Sequence, residues 1–319
     1  MNAPSSTDFN SDPKPDAKPD PNIRADIDLP AWRRFRARYA LSEPFIWLEA
    51  QRRLFERLDM INVEPAQILD AAPRAGTGAL VLAAKYPRGL VAAHCASKFA
   101  MMMLKGKYKG PLPQRIWNAL RGTPASRVAW APVVPNTQYD LIVCNLALTW
   151  ASNAPEQLAF WAQQLAPGGV LLFSAFGPDT GKTLRLAAQQ AGWHTPVAPS
   201  FVDMHDYGDM MVQAGLTTPV MDVERLTLTY PSADRLRQDL TGVMGNLHPQ
   251  RMAGLAGRAR FNRLEAAINA STPFVFDVEL VFGHAWRPAK PAKKPFEAAA
   301  SEQNVSLEDL KATLPSAKN

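Results

Sequence analysis

The sequence predicts an α/β fold: a doubly wound, mostly parallel seven-stranded sheet with an antiparallel edge. Three observations predict it. Short apolar runs alternate with helical stretches from Gln67 to Phe176, the rhythm of a parallel sheet with helices on both faces. The run Tyr139-Asp140-Leu141-Ile142-Val143-Cys144-Asn145 is apolar on both faces, as a central parallel strand is. Beyond Phe176 the pattern changes, and strands arrive late without a crossover helix between close neighbours, which predicts the antiparallel edge.

Residues 1–28 carry Pro, Asp, Lys and Ser with almost nothing apolar, which predicts a disordered tail. A second flexible tail, rich in Pro, Ala and Lys, is expected over 288–319. Residues 29–287 between them are expected to form one domain, with a basic insertion at 105–126. From Ala31 to Leu58, Trp32, Phe35, Tyr39, Phe45, Trp47, Leu48, Leu54, Phe55 and Leu58 fall at helical spacings among seven arginines. These are helices lying over the mouth of the domain, with a core-facing stripe and a charged outer face.

The next unit organises the chain. Gln67-Ile68-Leu69-Asp70 is a strand ending in an acid, the turn Ala71–Gly76 follows, and Ala79–Tyr86 is helical. In doubly wound folds such a turn faces a nucleotide-like ligand. Gly89–Cys95 is the second strand, Lys98–Leu104 a Met-rich helix, and Arg127–Trp130 a short third strand. After the central fourth strand, Asn153, Pro155 and Glu156 start a helix that runs to about Ala166. Pro167-Gly168-Gly169 turns it into the fifth strand, Val170–Phe176. A helix near Asp206–Ala214, the alternating strand Val220–Tyr230, one or two helices between Ser232 and Ala270, and the strand Pro273–Trp286 complete the order.

Composition narrows the function classes. The hydrophobic fraction of 47% is that of a globular protein. No apolar run approaches the roughly 18 residues of a membrane span, and the N-terminus lacks a basic-then-apolar export signal. Cys95 and Cys144 lie in apolar runs and read as buried thiols in a reducing compartment, so the expected location is the cytoplasm. The net charge of +6 is unevenly spread: seven basic residues and no acid lie between Lys98 and Arg127. That stretch is either a solvated face or a dock for an acidic partner through Lys105, Lys107, Lys109, Arg115 and Arg121. Nucleic acid is disfavoured, because zinc spacing and a recognition-helix motif are missing.

Two further motifs are weak. Gly177-Pro178-Asp179-Thr180-Gly181-Lys182-Thr183 is similar to a phosphate-binding loop but has three residues between its glycines where that loop needs four. His205, between Asp203 and Asp206, reads as part of a helix start rather than a metal site.

The stretches Tyr139–Trp150 and Leu165–Ser174 resemble those of class I methyltransferases that use S-adenosylmethionine. Phe176-Gly177-Pro178-Asp179-Thr180, Phe201–Asp206, Pro219–Asp222 and Gly283-His284-Ala285-Trp286 narrow the resemblance to the malonyl-acyl-carrier-protein O-methyltransferases of biotin synthesis. The resemblance implies methyl transfer from S-adenosylmethionine to the free carboxylate of a malonyl thioester, with an acidic acyl-carrier protein as partner. It implies no catalytic side chain, because that carboxylate is ionised and needs alignment and desolvation more than a base. For the cofactor it implies Asp70, Gly76 and Asn145.

The chain departs from the family pattern at several of these points. The family's first loop resembles D-x-G-x-G-x-G; here its glycine positions are Ala72, Arg74 and Gly76. Cys95 stands where an acid grips the ribose, and Pro132 where an acid accepts from adenine. Two lost charge-assisted hydrogen bonds amount to roughly 3–6 kcal/mol, which predicts much weaker cofactor binding. Two readings follow: an enzyme with a compensated cofactor loop, or a catalytically silent relative that keeps a carrier- or protein-docking surface.

Overall fold

The computed structural model describes residues 27–109, 123–132, 137–198, 200–251, 257–271 and 273–289. Its strands are β1 (Gln67–Asp70), β2 (Leu90–His94), β3 (Val128–Ala131), β4 (Tyr139–Cys144), β5 (Leu165–Phe176), β6 (Thr217–Tyr230) and β7 (Phe274–Trp286). They form one sheet ordered β3-β2-β1-β4-β5-β7-β6. The first five pair in parallel, whereas β7 runs antiparallel to both β5 and β6. The chain thus winds outward from β1 to β3 and then returns to β4. The crevice outside the carboxyl ends of β1 and β4 is the switch point where such sheets bind ligands.

Strand alternation divides the core into two layers. Ile68, Leu141, Val143, Val170 and Leu172 face one layer, and Leu69, Ile142, Cys144, Leu171 and Phe173 the other. The first layer is covered by α1 (Leu29–Arg38), α2 (Phe45–Asp59), α3 (Thr77–Lys85) and α4 (Lys98–Lys109). The second is covered by α5 (Ala154–Gln164) and α7 (Met204–Gln213). Between them in sequence lies α6 (Lys182–Gln190), while α8 (Ala233–Leu240) and α9 (Gly257–Ala270) occupy the connection from β6 to β7.

α2 buries Ile46, Trp47, Ala50, Leu54 and Leu58, a helical stripe. At the edge of that stripe Arg53 and Arg57 pair with Glu224 and Asp222 of β6, and Arg57 lies 3.6 Å over the Phe282 ring. α2 is therefore clamped across the sheet, and α1 is the helix that covers the mouth. α1 starts where Asp28 accepts a hydrogen bond from the Ala31 N–H at 2.9 Å. Asp28 thus caps the helix, and Ile27 just before it is buried. Residues 1–26 and 290–319 lie outside the described residues.

Three boundaries differ from the sequence reading. α4 continues to Lys109, so the start of the basic stretch is helix; its remainder, with Arg115 and Arg121, lies outside the described residues. β3 begins at Val128, after a 3-10 turn at Pro124–Arg127. β5 begins at Leu165, which pairs with Tyr139 before the register shifts. Pro167-Gly168-Gly169 is thus an irregularity inside β5 rather than a turn ahead of it, with Gly168 at φ +81°.

Candidate functional site

A cavity of about 410 Å³ opens at the carboxyl ends of β1, β2 and β4. The turn after β1 contributes Ala72, Pro73 and Arg74, the end of β2 contributes His94 and Cys95, and the loop after β4 contributes Ala147 and Trp150. α1 closes it with Trp32, Arg33, Phe35 and Arg36, while Asn153, Glu156 and Gln157 approach from α5 and its cap. Ala96 and Ala100 carry the wall to the start of α4.

The turn holds its shape without two of the expected glycines. Gly76 has φ +93°, a region that favours glycine, and an added Cβ would lie 2.6 Å from the Trp130 ring and 2.8 Å from Tyr108. The Gly76 N–H donates to the Pro73 carbonyl at 2.6 Å. Arg74 takes φ +43° despite its side chain. Its guanidinium donates to the carbonyls of Ser42 and Gly242 and lies 4.0 Å over the Trp47 ring. These contacts explain how a residue expected to resist this conformation adopts it: Arg74 ties the turn to two neighbouring loops, which offsets a strain of order 1–2 kcal/mol.

The residues singled out from the sequence divide into two groups. Ala72, Arg74 and Cys95 line the cavity; Asp70, Gly76, Asn145 and Pro132 are not among its lining residues. Asp70 is buried, accepts from the Ala72 N–H at 3.1 Å, and has its carboxyl pushed up to about 7, mainly by burial and further by Glu43. Asn145 donates to the Trp47 carbonyl at 3.0 Å and accepts from Ser174 Oγ at 2.7 Å, so it joins α2 to β5. The Cys95 thiol is pushed up to about 11, chiefly by burial, and so stays protonated and unreactive near neutrality. His94 is pushed down to about 4, by burial first and by the nearby charge of Arg36, and is a neutral imidazole.

Neither motif nor composition singles out Trp32, Arg33 and Arg36. Their spacing contains the signal, because positions 29, 32, 33 and 36 share one helix face, yet which face meets the cavity is set by packing. The phosphate-loop-like stretch is filled by the protein itself. Glu279 accepts from the Asp179 N–H at 2.8 Å, and Asp277 accepts from both the Thr183 N–H and its hydroxyl. Asp203 caps α7 by accepting from the His205 N–H at 2.8 Å. No helix among the described residues is long and apolar enough to cross a membrane.

Comparison with known proteins places this geometry in a family. The model of the methyltransferase-domain family matches residues 32–218. The malonyl-acyl-carrier-protein O-methyltransferase of Laribacter hongkongensis is 38% identical over 252 residues, covering 76% of this chain and 83% of that protein. The protein of the same name from Gallionella capsiferriformans is 36% identical over 248 residues, covering 76% and 83%. That from a Methylovorus species is 33% identical over 248 residues, covering 75% and 81%. The chain belongs to the malonyl-acyl-carrier-protein O-methyltransferase family.

Against this family, the outer face of α4 acquires meaning. Lys105 and Lys107 are exposed there, and Phe99, Met102 and Met103 expose 69%, 66% and 49% of their surface. Apolar and basic side chains therefore share one helix whose first turn borders the cavity.

Proposed function

We propose that the chain transfers a methyl group from S-adenosylmethionine to the free carboxylate of a malonyl thioester on an acyl-carrier protein. The observation that carries this is the cavity at the switch point of a chain in this family. Its volume is within the roughly 300–1,000 Å³ of small-molecule sites. Trp32, Phe35, Trp47 and Trp150 give it aromatic walls, which attract a sulfonium as they attract other cations. Glu156 is the carboxylate among its described lining residues, available for the cofactor's ammonium or hydroxyl groups. The residues present fit the cofactor, with Ala72, Cys95, Glu156 and the aromatic walls against it. When bound, the cofactor supplies a methyl group on a positively charged sulfur.

The remaining chemistry asks little of the side chains. A carboxylate is ionised at neutral pH, so no base is required. The walls orient the acceptor and strip its water, which favours attack by a charged oxygen. Neutral His94 and the protonated Cys95 thiol introduce neither a competing charge nor a competing nucleophile. An acidic carrier protein would dock along α4, on Lys105 and Lys107 with Phe99, Met102 and Met103, and feed its thioester past Ala96 and Ala100. The notion that Lys109, Arg115 and Arg121 extend this dock concerns side chains outside the described residues.

A second reading, a silent relative that retains the dock, is favoured by the wall's charge. Arg33, Arg36 and Arg74 line the cavity against Glu156, and Cys95 holds a position where a carboxylate would strengthen ribose binding. Calorimetric titration with S-adenosylmethionine and its demethylated product separates the two, together with mass spectrometry of malonyl-carrier protein for one added methyl. Heat and a methyl ester support the enzyme. No heat at millimolar ligand, with an unmodified carrier, establishes the silent relative.

A further inference from the structure

The three arginines of the cavity are not equivalent. Arg74 is engaged by two carbonyls and the Trp47 ring. Arg33 has an interaction partner of its own. Arg36 projects from α1 with its guanidinium 5.2 Å from the centre of the Trp32 ring, and no carboxylate among the described residues pairs with it. It is half-buried, and desolvation holds its pKa below the usual guanidinium range without removing its charge. A partly desolvated cation on a cavity wall without a counter-ion is costly, and an anionic ligand relieves the cost. Neutral His94 beside it leaves that demand unanswered.

We infer that Arg36 is the counter-ion for the acceptor's carboxylate and sets the preference for an acidic over a neutral acyl thioester, an assignment that rests on the acceptor proposed above. The cofactor also has a carboxylate, but its ammonium and sulfonium make it a net cation, which an unpaired arginine disfavours. The malonyl group bears negative charge alone. One carboxylate oxygen pairs with the guanidinium, already stacked on Trp32 and so partly ordered, while the other remains free to attack. Esterification removes the charge, so Arg36 binds the acceptor better than the methyl ester and aids product release. Because that charge is already waning in the transition state, Arg36 acts on KM more than on kcat.

The test titrates the full chain with malonyl-pantetheine and acetyl-pantetheine thioesters, and separately with S-adenosylmethionine. Wild type should bind the malonyl thioester about tenfold to a hundredfold tighter than the acetyl thioester, as expected for one charge-assisted contact. Arg36→Gln should bring the two within about twofold, Arg36→Lys should restore part of the difference, and cofactor affinity should not move. In turnover, Arg36→Gln should raise the acceptor KM about tenfold or more without lowering kcat. The inference is overturned if wild type shows no malonyl preference, if Arg36→Gln keeps that preference, or if the variant loses cofactor affinity instead. A preference lost in Arg36→Gln, with no methyl ester formed by wild type, would sink methyl transfer and leave this assignment standing. A methyl ester formed by wild type, with the preference intact in Arg36→Gln, would sink this assignment alone.

Discussion

Two strand–turn–helix units of this sheet begin alike and end differently. After β1 and after β5, the following helix starts behind a glycine with positive φ, Gly76 at +93° and Gly181 at +72°, and neither helix has a side-chain cap. The turn after β5 is closed. Glu279 and Asp277 of the neighbouring β7 accept from its N–H groups, Thr180 Oγ1 donates to the Glu279 carbonyl, and Arg185 donates to the carbonyls of Thr180 and Pro178. The turn after β1 is open. Its acid is buried behind the wall, its arginine lines the wall while donating to the carbonyls of Ser42 and Gly242, and a cavity lies in front. A loop motif therefore identifies a binding site only when neighbouring elements leave space in front of it. The stretch at Gly177–Thr183 looks the more like a phosphate loop, yet the one with the altered glycines faces the cavity.

The closed turn should be the easier to break. Glu279→Ala strands the Asp179 N–H, removes one of the two carboxylates paired with Arg225 and vacates a buried volume, so a loss of about 4 kcal/mol is expected in chemical denaturation. A loss below about 1 kcal/mol would mean that the turn is held by other contacts.

Next in size is the pH response of the open turn. Native Asp70 keeps its proton up to about pH 7 while the unfolded carboxyl loses it near 3.8, so its contribution declines as pH rises through that window. His94 works the other way. The unfolded imidazole takes a proton near 6.5 and the native one near 4, so its contribution declines as pH falls through that range. Between these values the two slopes oppose each other. Asp70→Asn should expose the histidine slope, with stability rising by on the order of 2–3 kcal/mol from acid to neutral pH. Denaturation curves across that range check it, and an unchanged pH profile would count against the buried acid.

Gly76→Ala places a Cβ against Trp130 at a positive φ and should cost about 2 kcal/mol, with the near-ultraviolet tryptophan signal altered. If the open turn tolerates alanine here as it tolerates Arg74, the melting temperature will not fall. The smallest effect belongs to the surface beside the cavity. Lys105→Glu with Lys107→Glu should weaken binding of an acidic carrier protein by about tenfold at low salt and flatten its salt dependence. Equal affinity at all ionic strengths would show these lysines to be merely solvated.

Much of the fold was legible in the sequence because it rests on local periodicity. The doubly apolar run at Tyr139–Cys144 can be buried only as a central strand, and the alternation of Val220–Tyr230 marks a strand with one wet face. Boundaries were less legible where pairing overrides turn chemistry. Leu165 joins β5 ahead of Pro167-Gly168-Gly169 because Tyr139 offers it a partner across the sheet. The candidate site was legible as a place but not as a list of residues. Strand order puts the turn after β1 at the switch point, whereas Asp70 and Asn145 spend their polar atoms on the protein's own backbone and on Ser174.

By itself the sequence determined the layers, the parallel sheet with its antiparallel edge, and the turn at which a ligand would sit. Hydrophobic period and glycine position act over a few residues, and the chain carries both openly. Only the tertiary structure decided that Arg74 would be tied to neighbouring carbonyls at the cavity wall, that Glu279 would close the turn after β5, and that Arg36 would face the cavity without a counter-ion among the described residues. These outcomes depend on groups that meet from distant parts of the chain. A charge is paired or unpaired according to what packing brings within reach, and local sequence does not encode that distance.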